Sequence, residues 1–459
     1  MESTTGKDHE AEEHQMRILP PAVATAVHVA TLARENGLPI PPKVYAVLEA
    51  AANPWPAEWL LAPLPGDPIR VVELCAGPGG WSEGIATVLG VTVDSVGVDI
   101  NKDACATARA AGHRRICIDI TTLDPEHIAL RYVRGVIISP PCPSFSPGGK
   151  HTGQEQRNID ILCRVIAQTS EAGGYCLPDD IEYECGERCE YPDVCAEIGY
   201  HDGYAPRSGV TWDELRAQLA PLGDARIGLM AELLIWAYGL MAAGAPLEFL
   251  AMEQSHRLPQ QIIDDIRLEL RGGLDSGEWA FADAQVLEAS QFGLPSRRER
   301  TYFLAARCQR LLGGPRDIPM TAMAQALGWG EGERVNTRGE RPIDPKTGRP
   351  KGGNEFSADK PSNCLTGKAR TWKRVSDGLR LTVQEAGVLV GFRRSFPWQG
   401  SRTSAFQQAA DVVSPVMAAI VLADVLGVLW KVRALVLDYE TQLYWMDELL
   451  DPDDYEPAA

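Results

Sequence analysis

Short apolar runs alternate with amphipathic stretches from Ile69 onward, and this alternation predicts the fold class. Strands are predicted at Ile69–Cys75, Ser95–Ile100, Arg115–Ile118, Gly135–Ser139 and Glu248–Glu253. Helices are predicted at Trp81–Leu89, Lys102–Ala111, Ala225–Ala243 and Pro259–Arg271. Strands separated by helices form crossover units, which build a parallel sheet. The pattern therefore predicts an α/β fold, with Ala280–Leu287 and Thr301–Ala306 as a pair of late strands.

Changes in composition divide the chain into five predicted segments. The main domain is predicted over residues 66–309, with an insertion at about 147–224 that is polar, rich in Gly, Asp, Glu and Cys, and weakly periodic. The others are an acidic helical extension (1–65), a basic Gly- and Pro-rich domain (310–380), a segment that returns to the main domain (381–430) and an acidic tail (431–459). Four further helices are predicted in these segments, at Ala22–Asn36, Lys43–Ala52, Thr382–Val390 and Pro415–Leu429.

The charge is distributed unevenly along the chain. The net charge is −18, yet residues 294–402 hold 21 Lys and Arg against 10 Asp and Glu. A basic segment in an acidic protein is expected where phosphates are bound, although a solvated basic loop region would show the same excess.

The chain lacks an apolar run of the ~18 residues needed to span a bilayer, and its N-terminus is acidic. We therefore expect a cytoplasmic protein with reduced thiols and no membrane partner, acting as a monomer.

A glycine-rich loop, Glu73-Leu-Cys-Ala-Gly-Pro-Gly-Gly80, lies between a predicted strand and a helix. Glycines allow a tight turn and close approach of a ligand at the carboxyl edge of a parallel sheet. The next strand ends in Asp99, which is suited to ribose hydroxyls, and the one after leads to Asp119. Because no phosphate-cradling Gly-Lys-Ser/Thr follows, a nucleoside-type cofactor is favoured over ATP.

Two further strand ends carry candidate catalytic groups. Cys142 lies in Ser139-Pro-Pro-Cys-Pro-Ser-Phe-Ser146, where prolines fix the angle at which a nucleophilic thiol is presented. A small buried thiol is the alternative, and it suits Cys75, Cys105, Cys117 and Cys308. Glu253 ends an apolar strand and is either an exposed charge or a catalytic acid.

Arg298 and Arg300 alternate with Glu299, so both should project to one face of a strand. Paired guanidinium groups at this spacing can orient a base edge or a phosphate. A surface ion-pair ladder is the alternative.

The ordered set ELCAGPGG, PPCPSFS, Glu253, GLPSRRER and TVQEAGVLVGF resembles the C5-cytosine DNA methyltransferase family. The resemblance extends from about Ile69 to Leu429 outside the insertion, and KPSNCLT (360–366) is similar to the family's target-recognition domain. It implies a Rossmann-like methyltransferase sheet with helices on both faces and a smaller target-recognition domain over 310–380. It also implies double-stranded DNA as partner and S-adenosylmethionine as cofactor.

By that resemblance, Cys142 attacks C6 of a flipped-out cytosine, and Glu253 contacts N3. Arg300, supported by Arg298, holds the base. The implied cofactor-binding residues are Cys75, Ala76, Gly77, Gly79, Asp99, Ile100, Asp119, Ile120, Pro141 and Asp411, with Asp99 on the ribose and Asp119 near the adenine amino group.

Several positions depart from the family's pattern. Cys75 replaces an adenine-packing Phe, Gln254-Ser255 replaces Asn-Val, and Ser296 replaces Gln. Asp411 stands where the family has an Asn near the methyl-bearing end of the cofactor. A carboxylate there leads to the hypothesis of an unusual donor or a modified cytosine.

The predicted insertion contains Cys176, Cys185, Cys189 and Cys195. Four thiols can bind zinc tetrahedrally, but the spacing lacks paired C-x2-C knuckles, so zinc and free thiols both remain open. Two alternatives to DNA methylation also remain open: an RNA cytosine methyltransferase and a non-catalytic DNA-binding relative.

Overall fold

The computed structural model describes residues 19–146, 149, 151–173, 209–270, 279–308, 319–337, 343–348 and 355–428, and the backbone of two strands at 433–437 and 443–447. The described strands, numbered in chain order, are β1 (Arg70–Leu74), β2 (Asp94–Asp99), β3 (Arg115–Cys117), β4 (Val133–Ile138), β5 (Phe249–Ser255), β6 (Phe281–Glu288), β7 (Ser296–Arg297), β8 (Glu299–Ala306), β9 (Arg334–Asn336), β10 (Glu355–Ser357), β11 (Ser362–Asn363), β12 (Lys373–Arg374), β13 (Arg433–Leu437) and β14 (Leu443–Asp447).

The described α-helices, numbered in the same way, are α1 (Pro21–Glu35), α2 (Pro42–Ala52), α3 (Gly80–Glu83), α4 (Lys102–Ala110), α5 (Gln156–Ile166), α6 (Thr169–Gly173), α7 (Trp212–Gln218), α8 (Glu232–Ala242), α9 (Gln260–Glu269), α10 (Met323–Leu327), α11 (Val383–Leu389), α12 (Arg402–Asp411) and α13 (Pro415–Leu422).

The central sheet has the order β3-β2-β1-β4-β5-β8-β6. Strands β1 to β5 run parallel, and β8 is antiparallel to both β5 and β6. The carboxyl ends of the parallel strands therefore meet at one edge of the sheet. The predicted functional residues Asp99, Cys142 and Glu253 lie at or near these strand ends.

Apolar side chains of the central strands alternate between two cores. Val72 and Ile138 belong to one cluster, and Val71 and Ile137 to the other. A parallel sheet whose two faces are both covered by helices has strands that are apolar at nearly every position. The predicted α/β class, with helices on both faces of a Rossmann-like sheet, is confirmed.

Two stretches predicted as single helices are each divided into two helical segments in the structure. The stretch predicted at Trp81–Leu89 is α3 followed by a π-helical turn, Gly84–Val88. A Cβ on Gly84 would lie 2.6 Å from the carbonyl oxygen of Pro415, so the glycine lets α13 pack closely there. The stretch predicted at Ala225–Ala243 is a 3-10 helix, Ala225–Met230, followed by α8.

The prediction of weak periodicity from residue 147 onward is wrong for its first part. Helix α5 buries Ile159, Leu162 and Ile166 in the main core and packs against α9. The apolar residues of α5 have helical spacing. The long Gly- and Cys-rich stretch after residue 173 obscures this periodicity when residues 147–224 are taken as one segment. Residues 174–208 lie outside the described residues.

The N-terminal helices belong to the main core. Ala30 of α1 and Leu48 of α2 are fully buried in the cluster that contains Val72. The Arg70 guanidinium at the start of β1 donates to the carbonyl oxygens of Trp59 and Leu61, each at 2.8 Å. This extension therefore supports the sheet.

A second, three-stranded sheet, β10-β9-β12, lies within residues 310–380, the segment predicted as a smaller domain. Its apolar cluster joins Met323, Val335 and Trp372 to Phe406 of α12. Strand β11 pairs in parallel with β7, with Ser362 opposite Ser296, and so connects this domain to the strand that precedes Arg298.

By length and composition alone, the helical stretch Arg402–Leu422 could cross a membrane. However, 89% of its most apolar window is buried inside the protein. In the described part of the chain it therefore has the character of a core helix.

Candidate active site

A cavity of about 430 Å³ opens at the carboxyl edge of the sheet. It is lined by the glycine-rich loop, the end of β2, the turn after β4 and the end of β5. Nine of the predicted residues line this one cavity: Cys75, Ala76, Gly77, Asp99, Ile100, Pro141, Cys142, Glu253 and Asp411.

The glycine-rich loop is fixed by backbone geometry and by Asp99. Gly77 has φ +54°, and a Cβ built on it would meet no atom within 4 Å. Its N–H donates to Oδ2 of Asp99 at 2.8 Å, and Oδ1 of Asp99 accepts the N–H of Asn101 at 2.7 Å. Burial raises the pKa of Asp99, and these two backbone donors oppose that rise. The loop therefore leaves an open cradle beside a carboxylate.

Cys75 and Ile100 also line this cavity. Cys75 has φ +50°, a conformation that few non-glycine residues adopt, and burial followed by the charge of Asp99 raises the pKa of its thiol. Ile100 is 68% exposed, so its apolar surface is open to a ligand.

Three predicted cofactor residues do not line the cavity. A Cβ on Gly79 would lie 2.9 Å from Cδ2 of His113, so this glycine serves packing against the next element. Ile120 is buried in the main core. Oδ1 of Asp119 accepts the N–H and Oγ1 of Thr121, at 3.0 and 2.9 Å. The neighbouring Gly80 lines the cavity instead.

The turn that carries Cys142 is held from several sides. Nε1 of Trp81 donates to Oγ of Ser139 at 2.8 Å, and Nε2 of Gln254 donates to the carbonyl oxygen of Pro140 at 3.1 Å. The carbonyl oxygen of Cys142 accepts the N–H of Phe145 at 3.0 Å. The thiol is therefore presented on a rigid turn.

The surroundings of Cys142 favour the neutral thiol. Burial raises its pKa most, and the carboxylates of Glu253 and Asp411 raise it further, while Arg300 and Arg298 lower it. The thiolate, which is the nucleophilic form, therefore needs help from the substrate or from a base.

Glu253 and Arg300 form a buried pair at the end of β5. Nε of Arg300 lies 2.9 Å from Oε1 of Glu253, and the two residues are 9% and 3% exposed. Neither of these two atoms has an aligned hydrogen-bond partner. Burial raises the pKa of Glu253, although Arg300 and Arg298 oppose the rise. The pair is held by charge, and Glu253 lines the cavity whereas Arg300 does not.

Arg298 and Arg300 are both buried and the intervening Glu299 is exposed, which confirms their predicted alternation. Their roles differ, however. The guanidinium of Arg298 donates to the carbonyl oxygens of Ala410 at 2.6 Å and Val412 at 2.7 Å. Arg298 does not line the cavity; it anchors the segment that carries Asp411.

Two side chains in the cavity were missed by sequence reasoning. Arg226 forms an ion pair with Asp224 at 2.7 Å, and that carboxylate accepts Oγ of Ser144 at 2.6 Å. The Asp224 hydrogen bond raises the pKa of Arg226 most, and Cys142 and Asp411 contribute. Gln407 donates through Nε2 to Oδ2 of Asp411 at 2.7 Å. Asp-Ala-Arg before a helix has the pattern of an ordinary helix cap, so no sequence signal distinguished Arg226.

Among the described residues, no group of three or more His, Cys, Asp or Glu could hold a metal ion. The four candidate zinc ligands, Cys176, Cys185, Cys189 and Cys195, lie outside the described residues. Zinc binding there stays a prediction.

Residues 69–172 match the family model described as C-5 cytosine-specific DNA methylase. The predicted family resemblance is confirmed over this segment. The matched segment contains the glycine-rich loop, Asp99 and the Cys142 turn, while Glu253, Arg300 and Asp411 lie beyond it. The match extends to residue 172 and therefore includes helix α5, which lies within the predicted insertion.

Comparison with curated proteins gave no match. Among solved structures, the chain is similar to the EhMeth methyltransferase of Entamoeba histolytica at 13% identity and a TM-score of 0.48. It is also similar to a prophage-encoded candidate DNA modification methyltransferase of E. coli (17%, 0.43) and to S. pombe Dnmt2 methyltransferase (15%, 0.42). Each comparison covers 78% of this chain and 98% of the other.

Proposed function

We propose that this protein is an S-adenosylmethionine-dependent DNA cytosine-5 methyltransferase that uses Cys142 as nucleophile and Glu253 as acid. The observation that carries the proposal is one cavity that is lined both by Gly77 and Asp99 of the cradle and by Cys142 and Glu253. A single cavity of this kind can bring a nucleoside-type cofactor and the Cys142 thiol to the same substrate base.

The residues around the cradle fit S-adenosylmethionine. The open space over Gly77 allows close approach of the ligand, and the Asp99 oxygens retain lone pairs for ribose hydroxyls. Exposed Ile100 offers an apolar surface to a purine. When bound, this cofactor supplies an electrophilic methyl group on a positively charged sulfonium.

Cys142 makes C5 of the cytosine reactive. After loss of its proton, the sulfur forms a bond to C6, and an electron pair of the ring shifts so that C5 becomes nucleophilic. The methyl group would come from the bound cofactor, whose methyl–sulfur bond would break to leave a neutral thioether as the bond to C5 forms. A base removes the C5 proton, the S–C6 bond breaks, and the ring regains its aromaticity while Cys142 returns to its thiolate. Temporary covalent addition divides one difficult step into easier ones.

Glu253 limits the charge that develops on the ring during addition. Its raised pKa suits it to act as an acid, which donates a proton to N3 as the sulfur adds to C6 and takes that proton back when the sulfur leaves. Arg300 balances the carboxylate after proton transfer and holds the base at O2. The position of Glu253 in the cavity lining, in buried contact with Arg300, supports this recognition of a polar base edge.

The smaller domain supports binding of a nucleic acid. Its described surface and flanks carry exposed basic side chains, namely Arg297, Arg334, Lys346, Lys360, Lys368, Arg380, Arg394 and Arg402. Phosphate contacts of this kind position a duplex, and the cytosine must then leave the stack to reach a partly buried thiol. We propose double-stranded DNA as the substrate, with a cytoplasmic location and a monomeric state as further predictions.

The test is expression in a bacterial host without cytosine methylation, followed by nucleoside mass spectrometry of DNA and RNA. We expect 5-methylcytosine in DNA, its loss in Cys142→Ala, and its retention in Cys308→Ala, which removes an exposed thiol elsewhere.

Other products would separate the alternatives. Modified cytosine confined to RNA would favour the RNA enzyme, and a mass other than that of a methyl group would favour an unusual donor selected by Asp411. DNA binding without any product would contradict the proposal and favour a non-catalytic relative.

A further inference from the structure

A buried polar network lies directly behind the cofactor cradle and has no role in the chemistry described above. Its centre is Arg115 on β3, whose side chain is 0% exposed, as is that of Glu73 on β1. We propose that Arg115 is a positioning residue that fixes the glycine-rich loop for S-adenosylmethionine; this inference rests on the proposed function.

Arg115 distributes its donors over four partners. One terminal nitrogen lies 3.4 Å from Oε2 of Glu73 and donates to Oγ of Ser82 at 2.9 Å. The other donates to the carbonyl oxygen of Arg114 at 2.9 Å, and Nε makes a long hydrogen bond of 3.5 Å to the carbonyl oxygen of Gly77. The guanidinium thereby connects β3, β1, α3 and the loop.

The same Gly77 residue is held from the opposite side by Asp99. Its N–H donates to Asp99 at 2.8 Å, while its carbonyl oxygen accepts from Arg115. A loop whose backbone is fixed before the ligand arrives loses less conformational freedom on binding. The affinity for the cofactor should therefore depend on Arg115, although Arg115 does not line the cavity.

Two glycines make room for this side chain. A Cβ on Gly97 of β2 would lie 2.3 Å from a terminal nitrogen of Arg115, and a Cβ on Gly79 would lie 3.3 Å from the other. Gly97 thus lets the guanidinium pass beneath the strand that ends in Asp99.

The planar guanidinium is needed because its donors point in several fixed directions. Lysine keeps the charge opposite Glu73, but one ammonium group cannot reach all of these partners at once. If Arg115 acted only by pairing its charge with Glu73, the Arg115→Lys variant would bind S-adenosylmethionine with wild-type affinity. If Arg115 positions the loop, this variant should bind S-adenosylmethionine more weakly than the wild type.

The test measures S-adenosylmethionine affinity by titration calorimetry on the full chain. We expect Arg115→Met to raise the Kd about tenfold or more, and Arg115→Lys to give an intermediate Kd. Arg114→Met is the matched control, since that neighbouring side chain is 52% exposed and pairs with Asp94 on the surface. Its Kd should equal that of the wild type.

Steady-state kinetics separates positioning from simple loss of folded protein. Partial unfolding lowers the binding stoichiometry and the apparent kcat, whereas a displaced loop raises KM for the cofactor and leaves KM for DNA unchanged. Because Arg115→Met leaves Glu73 buried without its partner, the double variant Glu73→Gln/Arg115→Met removes that charge and should show the same rise in KM.

A Kd for Arg115→Met or for the double variant within twofold of wild type would overturn the inference. Absence of S-adenosylmethionine binding by the wild-type protein would instead contradict the proposed function, so the two failures are distinguishable.

Discussion

At the scale of single residues, the site combines a thiol that is hard to ionise with an acid that is easy to protonate. Burial is the largest cause for both Cys142 and Glu253, and each of the two arginines opposes it. The free enzyme therefore keeps its nucleophile protected, and reactivity should depend on pH and on the neighbouring carboxylate.

The first prediction concerns the pH dependence of Cys142. Since its pKa is raised, alkylation by iodoacetamide should be slower than that of an exposed cysteine at neutral pH and should increase as the pH rises through the raised value. Glu253→Gln removes a charge that disfavours the thiolate, so the midpoint should move to lower pH. The measurement is mass spectrometry of the Cys142 peptide, with Glu248→Gln at the other end of the strand as control.

A second residue-scale prediction concerns Gln254, which replaces the family's Asn. Gln254→Leu would leave the buried carbonyl oxygen of Pro140 without its 3.1 Å donor, so the Cys142 turn should lose its fixed angle. We expect kcat to fall about tenfold or more while the Kd for S-adenosylmethionine stays unchanged. An unchanged kcat would show that the turn is held without Gln254.

At the scale of secondary-structure elements, the end of helix α12 is tied to the site by one buried cation. Arg298 donates to the carbonyl oxygens of Ala410 and Val412, which flank Asp411. These partners are more than 100 residues away in sequence, and the anchored segment contributes Asp411 and Val412 to the lining of the cavity.

The third prediction tests this anchor. Arg298→Met removes the donors of these buried carbonyl groups and should lower the free energy of unfolding by about 1–3 kcal/mol. Chemical denaturation measures the change. Arg297→Met, next to it but exposed, should stay within about 0.5 kcal/mol of wild type.

At the scale of the whole molecule, the N-terminal extension and the main domain form one core. Two arginines of the main domain donate hydrogen bonds to the backbone of this extension. Arg70 donates to the carbonyl oxygens of Trp59 and Leu61, and Arg131 donates to that of Leu60 at 2.8 Å. These two buried arginines would lose their acceptors if the extension were absent.

The fourth prediction is that deletion of residues 1–65 abolishes soluble folded protein. The deletion exposes the core that covers one face of the sheet and leaves buried guanidinium groups without partners. Circular dichroism and size-exclusion chromatography measure the outcome.

The sequence by itself determined the order of strands and helices in the main domain and the chemical groups at the strand ends. Asp99, Cys142 and Glu253 each follow a recognisable apolar strand, and parallel strands bring their carboxyl ends to one edge. Local pattern was therefore enough to assemble these three residues into one predicted site.

Only the tertiary structure decided which other side chains act there. Arg226 and Gln407 enter the cavity, whereas Gly79, Ile120 and Arg298 serve packing or anchoring. The passage of Arg115 beneath Gly97 likewise joins residues from different strands. Periodicity describes only neighbours along the chain, and these roles depend on contacts that close packing creates between distant segments.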